Sequence, residues 1–374
     1  MESFKAGVYI NQGTYKSFQP NPIFRSWELK DMQLINLLTQ ADRALGKLDM
    51  YSYYIPNIEL FIKMHITKEA TQSSKIEGTQ TNMDEALMEK EQIGIERRND
   101  WEEVQNYIRT MNEAIENLQT LPFSSKLIKR AHYTLLQSVR GENKMPGEFR
   151  TSQNWIGGFN ISTATFIPPI HHSIEDLISD IEKLVHEENH ILPDLIKIAL
   201  IHYQFETIHP FLDGNGRIGR LMITLYLVDK GILKRPILYL SDFLEENRKH
   251  YFESLTNVRE KNDILHWCKF FLTGIIETAN KSIQTFDNIM QLEKQVNEKL
   301  KTLGKRNVKA QLVINYMYKK PIINALAVQK IIGSKNATAY LLLEDLGKLE
   351  IIKETTGFQR NRTYIFEEYV KFFR

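Results

Sequence analysis

Apolar positions recur at helical spacing through most of the chain. They mark amphipathic segments at 27–50, 56–75, 82–92, 98–118, 124–139, 173–189, 193–206, 216–231, 246–258 and 262–300. Ile58, Phe61, Ile62, Ile66 and Ala70, for example, share one face of the second segment. The pattern breaks in two places. Residues 1–22, rich in Tyr, Asn, Gln and Pro, read as an irregular arm draped over the body. Between 146 and 169, glycines and prolines interrupt short runs, Pro146-Gly-Glu-Phe-Arg150, Gln153-Asn-Trp-Ile-Gly-Gly158 and Thr165-Phe-Ile-Pro-Pro169, which read as short strands and turns. In the long last segment Ile276, Ile283 and Met290 recur every seven residues. That is the spacing of a helix that packs on another, and a homodimer seam is expected there.

Beyond residue 300 the periods shorten. Segments 308–319, 324–332 and 337–349 read as three short helices, and 351–366 as two strands around a glycine-containing turn. Three helices followed by a two-stranded ribbon resemble a winged helix-turn-helix. The charge divides at the same point. Residues 301–374 carry 14 Lys and Arg against 6 Asp and Glu, whereas the preceding residues carry 34 against 40. A basic module of this kind suits DNA phosphates, and Arg360 and Arg362 on the ribbon are the best placed for them. The third helix offers only Lys335, Lys348, Glu344 and Asp345 for reading bases, so DNA binding and protein docking both stay open.

Composition narrows the chemistry. With 42% apolar and 25% charged residues the chain is an ordinary globular one, long enough for two or three domains. Cys268 is the sole cysteine, which excludes an internal disulfide and cysteine-based zinc sites. No run of about 18 uncharged apolar residues of the kind that crosses a membrane is present. A cytoplasmic protein without membrane segments is expected.

The densest chemistry lies in His209-Pro-Phe-Leu-Asp-Gly-Asn-Gly-Arg-Ile-Gly-Arg220. Gly214, Asn215 and Gly216 permit a tight turn whose N–H groups form an anion-binding nest, and the apolar run after it places that nest at a helix N-terminus. Arg217 and Arg220, i and i+3, suit phosphate oxygens. Asp213 is placed to hold a hard cation such as Mg²⁺, and His209 is a base for neutral pH. Two other readings fail. The Gly214-x-Gly216-x-x-Gly219 spacing lacks the preceding strand of a dinucleotide fold. The Asp213-x-Asn215 start lacks a calcium loop's remaining ligands, with Arg217 at the fifth position and Thr224 at the twelfth.

The segment resembles the signature of the Fic family, His-x-Phe-x-(Asp/Glu)-Gly-Asn-Gly-Arg-x-x-Arg, at every defined position. The resemblance implies a mainly α fold: a Fic-type helical core with a short β-hairpin flap, here followed by the winged-helix-like unit. It implies transfer of AMP from ATP to a Ser, Thr or Tyr hydroxyl of a target protein, with His209 as base and Asp213 on Mg²⁺. Gly214, Asn215, Gly216, Arg217 and Arg220 are then the phosphate contacts, and residues 153–169 are the flap on which the target docks as an added strand. Asn247 and Tyr251 fall near the family's adenine pocket, with Tyr251 suited to stacking. Upstream, Ser73-Ser-Lys-Ile-Glu77-Gly78 resembles the family's inhibitory element, in which Glu77 ties up Arg220. Ser73 and Glu77, i and i+4, face the same way on a helix.

The expected organisation is an arm and inhibitory helical region at 1–95, a catalytic core at 96–258, connecting helices at 259–300 and the winged-helix-like domain at 301–374. Two alternatives are carried beside the transferase: a hydrolase that removes AMP using Glu77, and an ATP-sensing DNA-binding regulator.

Overall fold

The computed structural model describes residues 1–374 except 2, 56–57, 138–140, 142, 188–191 and 357–361, with Leu60 by its backbone only. The chain is mainly helical, as its periodicity predicts. Its centre is a pair of consecutive helices, α7 (Asp194–Ile208) and α8 (Asn215–Asp229), buried on every side. Every residue of α7 after Asp194 is buried, and so is α8 from Asn215 to Leu227. Helices without a solvent-facing side must be wrapped by others. The wrapping comes from α1 (Met32–Tyr54), α2 (Glu59–Ile76), α4 (Arg98–Asn117), α5 (Ser125–Leu135), α6 (Ile174–Val185) and α11 (Ile264–Lys301). The short α3 (Met83–Leu87) follows α2, and α9 (Ser241–Glu246) and α10 (Arg248–Lys261) precede α11. Side-chain caps set several starts: Asp31 accepts from Leu34 at α1, Ser124 from Leu127 at α5 and Asp263 from His266 at α11.

The heptad on α11 is used within the chain. The most extensive helix–helix contact among the described residues is α1 against α11; Ile283 is buried there, and Ile276 and Met290 pack against the same core. The stripe read as a dimer seam therefore packs on this chain's own core, and no dimer is inferred from it.

Residues 1–22 are also more regular than expected. Strands β1 (Gly7–Asn11) and β2 (Lys16–Pro20) form an antiparallel hairpin, with Gly7 opposite Pro20 and Asn11 opposite Lys16. The Phe18 side chain is buried, and its N–H donates to Ile167 O (2.9 Å), which ties the hairpin to the expected flap. The flap itself is a loop closed by one antiparallel bridge, Ile156 to Phe166. Gly157 and Gly158 take positive φ and Asn160 caps a single 3₁₀ turn at Ile161–Thr163, so the backbone bends before longer strands can form.

The C-terminal unit runs α12 (Asn307–Lys319), β3 (Ile322–Asn324), α13 (Ala325–Ile332), α14 (Asn336–Lys348), β4 (Lys353–Glu354), β5 (Thr363–Ile365) and α15 (Glu367–Val370). Its sheet is antiparallel in the order β3-β5-β4. Strand β3, between the first two helices, was missed by the sequence reading. It supplies the third strand that a winged helix-turn-helix has. The ribbon's turn and Arg360 lie outside the described residues. Arg362 pairs with Glu354 (3.7 Å).

Candidate active site

The loop 209–214 joins α7 to α8 and carries His209 and Asp213, with Arg217 and Arg220 on the helix start that follows. His209 ends α7 in the left-handed region (φ 49°), a conformation that needs support in a non-glycine residue. Support comes from two side chains. Arg150 Nε (3.0 Å) and Asn154 Nδ2 (3.1 Å) both donate to His209 O. Arg150 is itself buried, and its guanidinium also donates to the carbonyls of Ser152, Pro169 and Ile208. One side chain thus pins the base of the flap to the loop. Burial pushes the His209 imidazole down to about 4, against the opposing pull of Glu77, so the ring is neutral and able to accept a proton at pH 7.

Gly214 begins α8 at φ 75°, a left-handed position that a side chain would strain. The N–H groups of Asn215, Gly216 and Arg217 open the helix before its first internal bond, Ile218 N to Gly214 O (3.1 Å). They form the anion-binding end. The Asn215 side chain faces the other way. Its Nδ2 donates to Phe211 O and its Oδ1 accepts from Phe211 N, both at 2.8 Å. Its amide shapes the loop, and what it offers a phosphate is its backbone N–H. Asn215→Ala orphans the buried Phe211 N–H and is expected to lower the unfolding free energy by about 1–3 kcal/mol, measurable by urea titration.

Asp213 points outward, its side chain 45% exposed, accepting from its neighbour Gly214 N (2.6 Å) and lying 3.6 Å from Arg217. Among the described residues no group of three or more His, Cys, Asp or Glu side chains is placed to hold a metal alone. A single exposed carboxylate beside a phosphate cradle nevertheless fits Mg²⁺, which keeps waters and takes its other ligands from substrate phosphates. Behind it stands a residue the sequence reading missed, His132 of α5. It is fully buried and stacks on Phe211 (3.7 Å between ring centres, 10°). Its Nδ1 accepts from Gly147 N (2.9 Å), so its Nε2 carries the proton and donates to Asp213 O (3.0 Å). Its signal in the sequence is a histidine on the apolar stripe of α5, between Ile128 and Leu135.

Both arginines are partnered. Arg217 meets Glu103 of α4 (3.3 Å), while its own carbonyl accepts from Tyr107 OH (2.9 Å). Arg220 is buried and reaches α2: Nε donates to Ser73 Oγ (2.8 Å), and a terminal nitrogen to Ser73 O (3.0 Å) and Glu77 Oε1 (2.6 Å). The structure thus brings Ser73, Glu77 and Arg220 together. Burial pushes the Glu77 carboxyl up, but the Arg220 charge and hydrogen bond, with help from Arg217 and His209, outweigh it and hold the group below its usual range. Gly216 lies directly under this pair, and a Cβ there would collide with Glu77 Oε1. Glu206, one turn before His209, is a second carboxyl facing Arg220. Burial pushes it up to about 7.

Tyr251 corrects an expectation. It is 1% exposed, its hydroxyl bonds His202 Nε2 (2.9 Å), and Trp267 packs beside it. The ring is core and has no face open to a base. Asn247 sits at the α9–α10 junction, donating to Phe243 O (3.0 Å). Cys268 is buried, and burial pushes its thiol up to about 12, which removes it from nucleophilic roles.

Comparison with known proteins places the chain in a family. Residues 35–116 match the Fic/DOC family N-terminal model and 122–227 the Fic/DOC family model, which together take up half of the chain and include both α2 and the 209–220 loop. The chain belongs to the Fic family of protein adenylyltransferases. A probable protein adenylyltransferase of Aquifex aeolicus is 26% identical over 301 residues, 78% of this chain and 83% of that one. A protein adenylyltransferase Fic of Culex quinquefasciatus is 30% identical over 125 residues, 33% of this chain but only 22% of its own length. Among solved structures, a Fic family protein from Desulfovibrio desulfuricans G20 shares the fold over 91% of this chain and 98% of its own (TM-score 0.57, 17% identity). Fic-1 from C. elegans does so over 69% and 74% (TM-score 0.51, 19% identity). Among the described residues no helix is long and apolar enough to cross a membrane.

Proposed function

We propose that the protein transfers AMP from ATP to a hydroxyl side chain of a target protein, and that Glu77 holds this activity in check. The observation that carries the reading is the Glu77–Arg220 pair (2.6 Å) at the N-terminal turn of the helix that follows His209. In the transfer, the target hydroxyl oxygen attacks the α-phosphorus and gives its proton to His209. The bond from the α-phosphorus to the bridging oxygen breaks, and diphosphate leaves with that electron pair. The amides opening α8 and the two arginines hold the polyphosphate in line. Mg²⁺ on Asp213 would offset phosphate charge. With Arg220 engaged by Glu77, the guanidinium is unavailable to the terminal phosphate and the α-phosphorus is not aligned.

The test compares ATP labelled at the α- and at the γ-phosphate, using the Glu77→Gly protein with cell extract as the source of targets. Label on protein from the α-position alone is the expected result. Label from the γ-position would make the enzyme a phosphotransferase.

The same variant makes a pH prediction. A base acts in its neutral form, and burial sets the His209 imidazole near 4. Transfer is therefore expected to stay level as pH falls through 6.5, the ordinary histidine value, and to drop only as pH approaches 4. Removing Glu77 takes away a charge that raises this value, so the variant's drop lies lower still. A half-maximal rate near pH 6.5 would contradict the buried-base reading.

A further inference from the structure

The helix that carries Glu77 begins under the C-terminal unit. Phe61, in the first turn of α2, is 1% exposed and meets Tyr318 of α12 edge-on (5.4 Å) and Tyr369 of α15 (6.3 Å). One turn further, the His65 ring lies 5.0 Å from Phe373 and 5.0 Å from Phe286 of α11. The grip continues past the other end of α2. Arg374 donates to Asp84 of α3 (2.7 and 2.9 Å), and Lys320 pairs with Glu89. The charge division between a basic tail and an acidic body is thus partly met inside the molecule, at this seam.

From Phe61 to Glu77 the helix runs 16 residues, about 24 Å at 1.5 Å per residue. A helix of that length moves as a rigid piece, so a shift at Phe61 reaches Glu77. The seam also holds buried polar atoms that are left unpaired. A cavity of about 70 Å³ lies between α2, α9, α11 and the rings of Phe372 and Phe373. His65 Nε2, Tyr239 Oη and Thr278 Oγ1 are buried around it without hydrogen-bond partners among the described residues. An interface with unpaired buried polar atoms parts more readily than a fully paired one.

We propose that the winged-helix unit is the control element of the nucleotide site: seated on the first turns of α2, it holds Glu77 on Arg220, and unseating it frees the arginine. This rests on the reading of Glu77 as inhibitory. It gives the C-terminal unit a role in the enzyme's own regulation. The exposed face of α14 suits that role better than base reading, because Lys348 is engaged by Glu344 (2.7 Å) and Tyr340 and Leu341 are the large exposed side chains beside them.

The test uses the full chain with Arg374→Glu, which opposes Asp84 at an exposed position, and separately Phe373→Ala, each alone and combined with Glu77→Gly. AMP transfer from α-labelled ATP is read beside hydrogen exchange of the amides at 70–78. Each seam variant is expected to raise transfer about fivefold or more and to speed exchange at 70–78, and to add nothing once Glu77 is glycine. Unchanged exchange at 70–78 in both variants, with unfolding temperatures like that of the parent, overturns the proposal. So does an equal gain in the Glu77→Gly background, because the effect then bypasses Glu77. If Glu77→Gly is itself no more active than the parent, the inhibitory reading has failed, and the exchange measurement still decides whether the seam holds α2.

Discussion

Glu77→Gly is expected to raise AMP transfer by about ten- to a hundredfold. The size follows from what the carboxylate occupies. Arg220 has three bonds to α2, and only one of them, to Glu77 Oε1, is made by a charged acceptor. A charge-assisted hydrogen bond of this kind contributes about 1.5–3 kcal/mol, and each 1.4 kcal/mol is about a factor of ten in an equilibrium. The substitution leaves Ser73 in place, so Nε stays oriented while the terminal nitrogen becomes free to meet a phosphate. It also clears the space over Gly216, where the carboxylate now sits closer than a Cβ would tolerate. The Glu77 side chain is 38% exposed, so its loss leaves no large cavity and the fold should survive. Equal labelling by parent and variant would remove Glu77 from control. Loss of AMP removal from a previously modified target, in place of a gain in transfer, would assign Glu77 to hydrolysis.

How much of this could be read beforehand depended on whether a residue's partner lies nearby in sequence or has a chemical type that declares it. His209, Asp213, Gly214 and Arg220 fall within twelve residues, and their joint chemistry is legible without a fold. Ser73 and Glu77 were legible as an i, i+4 pair, and the structure brings both to one guanidinium across 147 and 143 residues of chain. Arg150 and His132 were not singled out for their roles, because their partners are main-chain groups, which every residue has and no sequence pattern marks. Tyr251 was misplaced for a related reason: an amphipathic aromatic ring reads the same whether its hydroxyl meets a ligand or His202. Periodicity likewise shows that a helix has a neighbour but not whose. The seven-residue repeat on α11 was real, and the core of the same chain takes it up. The hairpin at 7–20 escaped because Val8, Tyr9 and Ile10 are all exposed, so no alternation of buried and exposed positions announced β1.

In the Glu77→Gly protein, His209→Ala is expected to lower transfer by about 10²- to 10⁴-fold, the range for a positioned general base. The background matters, since in the parent the inhibited rate would hide the loss. The structure gives reasons to expect a selective effect. The His209 carbonyl is anchored by Arg150 and Asn154 through the main chain, and these bonds do not need the imidazole. The loop below is braced separately by Asn215 on Phe211 and by His132 on Asp213. ATP affinity should therefore remain near that of the Glu77→Gly parent while the rate falls. A variant that loses rate and nucleotide binding together would mean that the ring holds the loop and does not take the proton. Full transfer by the alanine protein would mean that another group accepts it. A candidate is then Glu206, one turn away, whose carboxyl, raised to about 7 by burial, could exchange a proton at neutral pH.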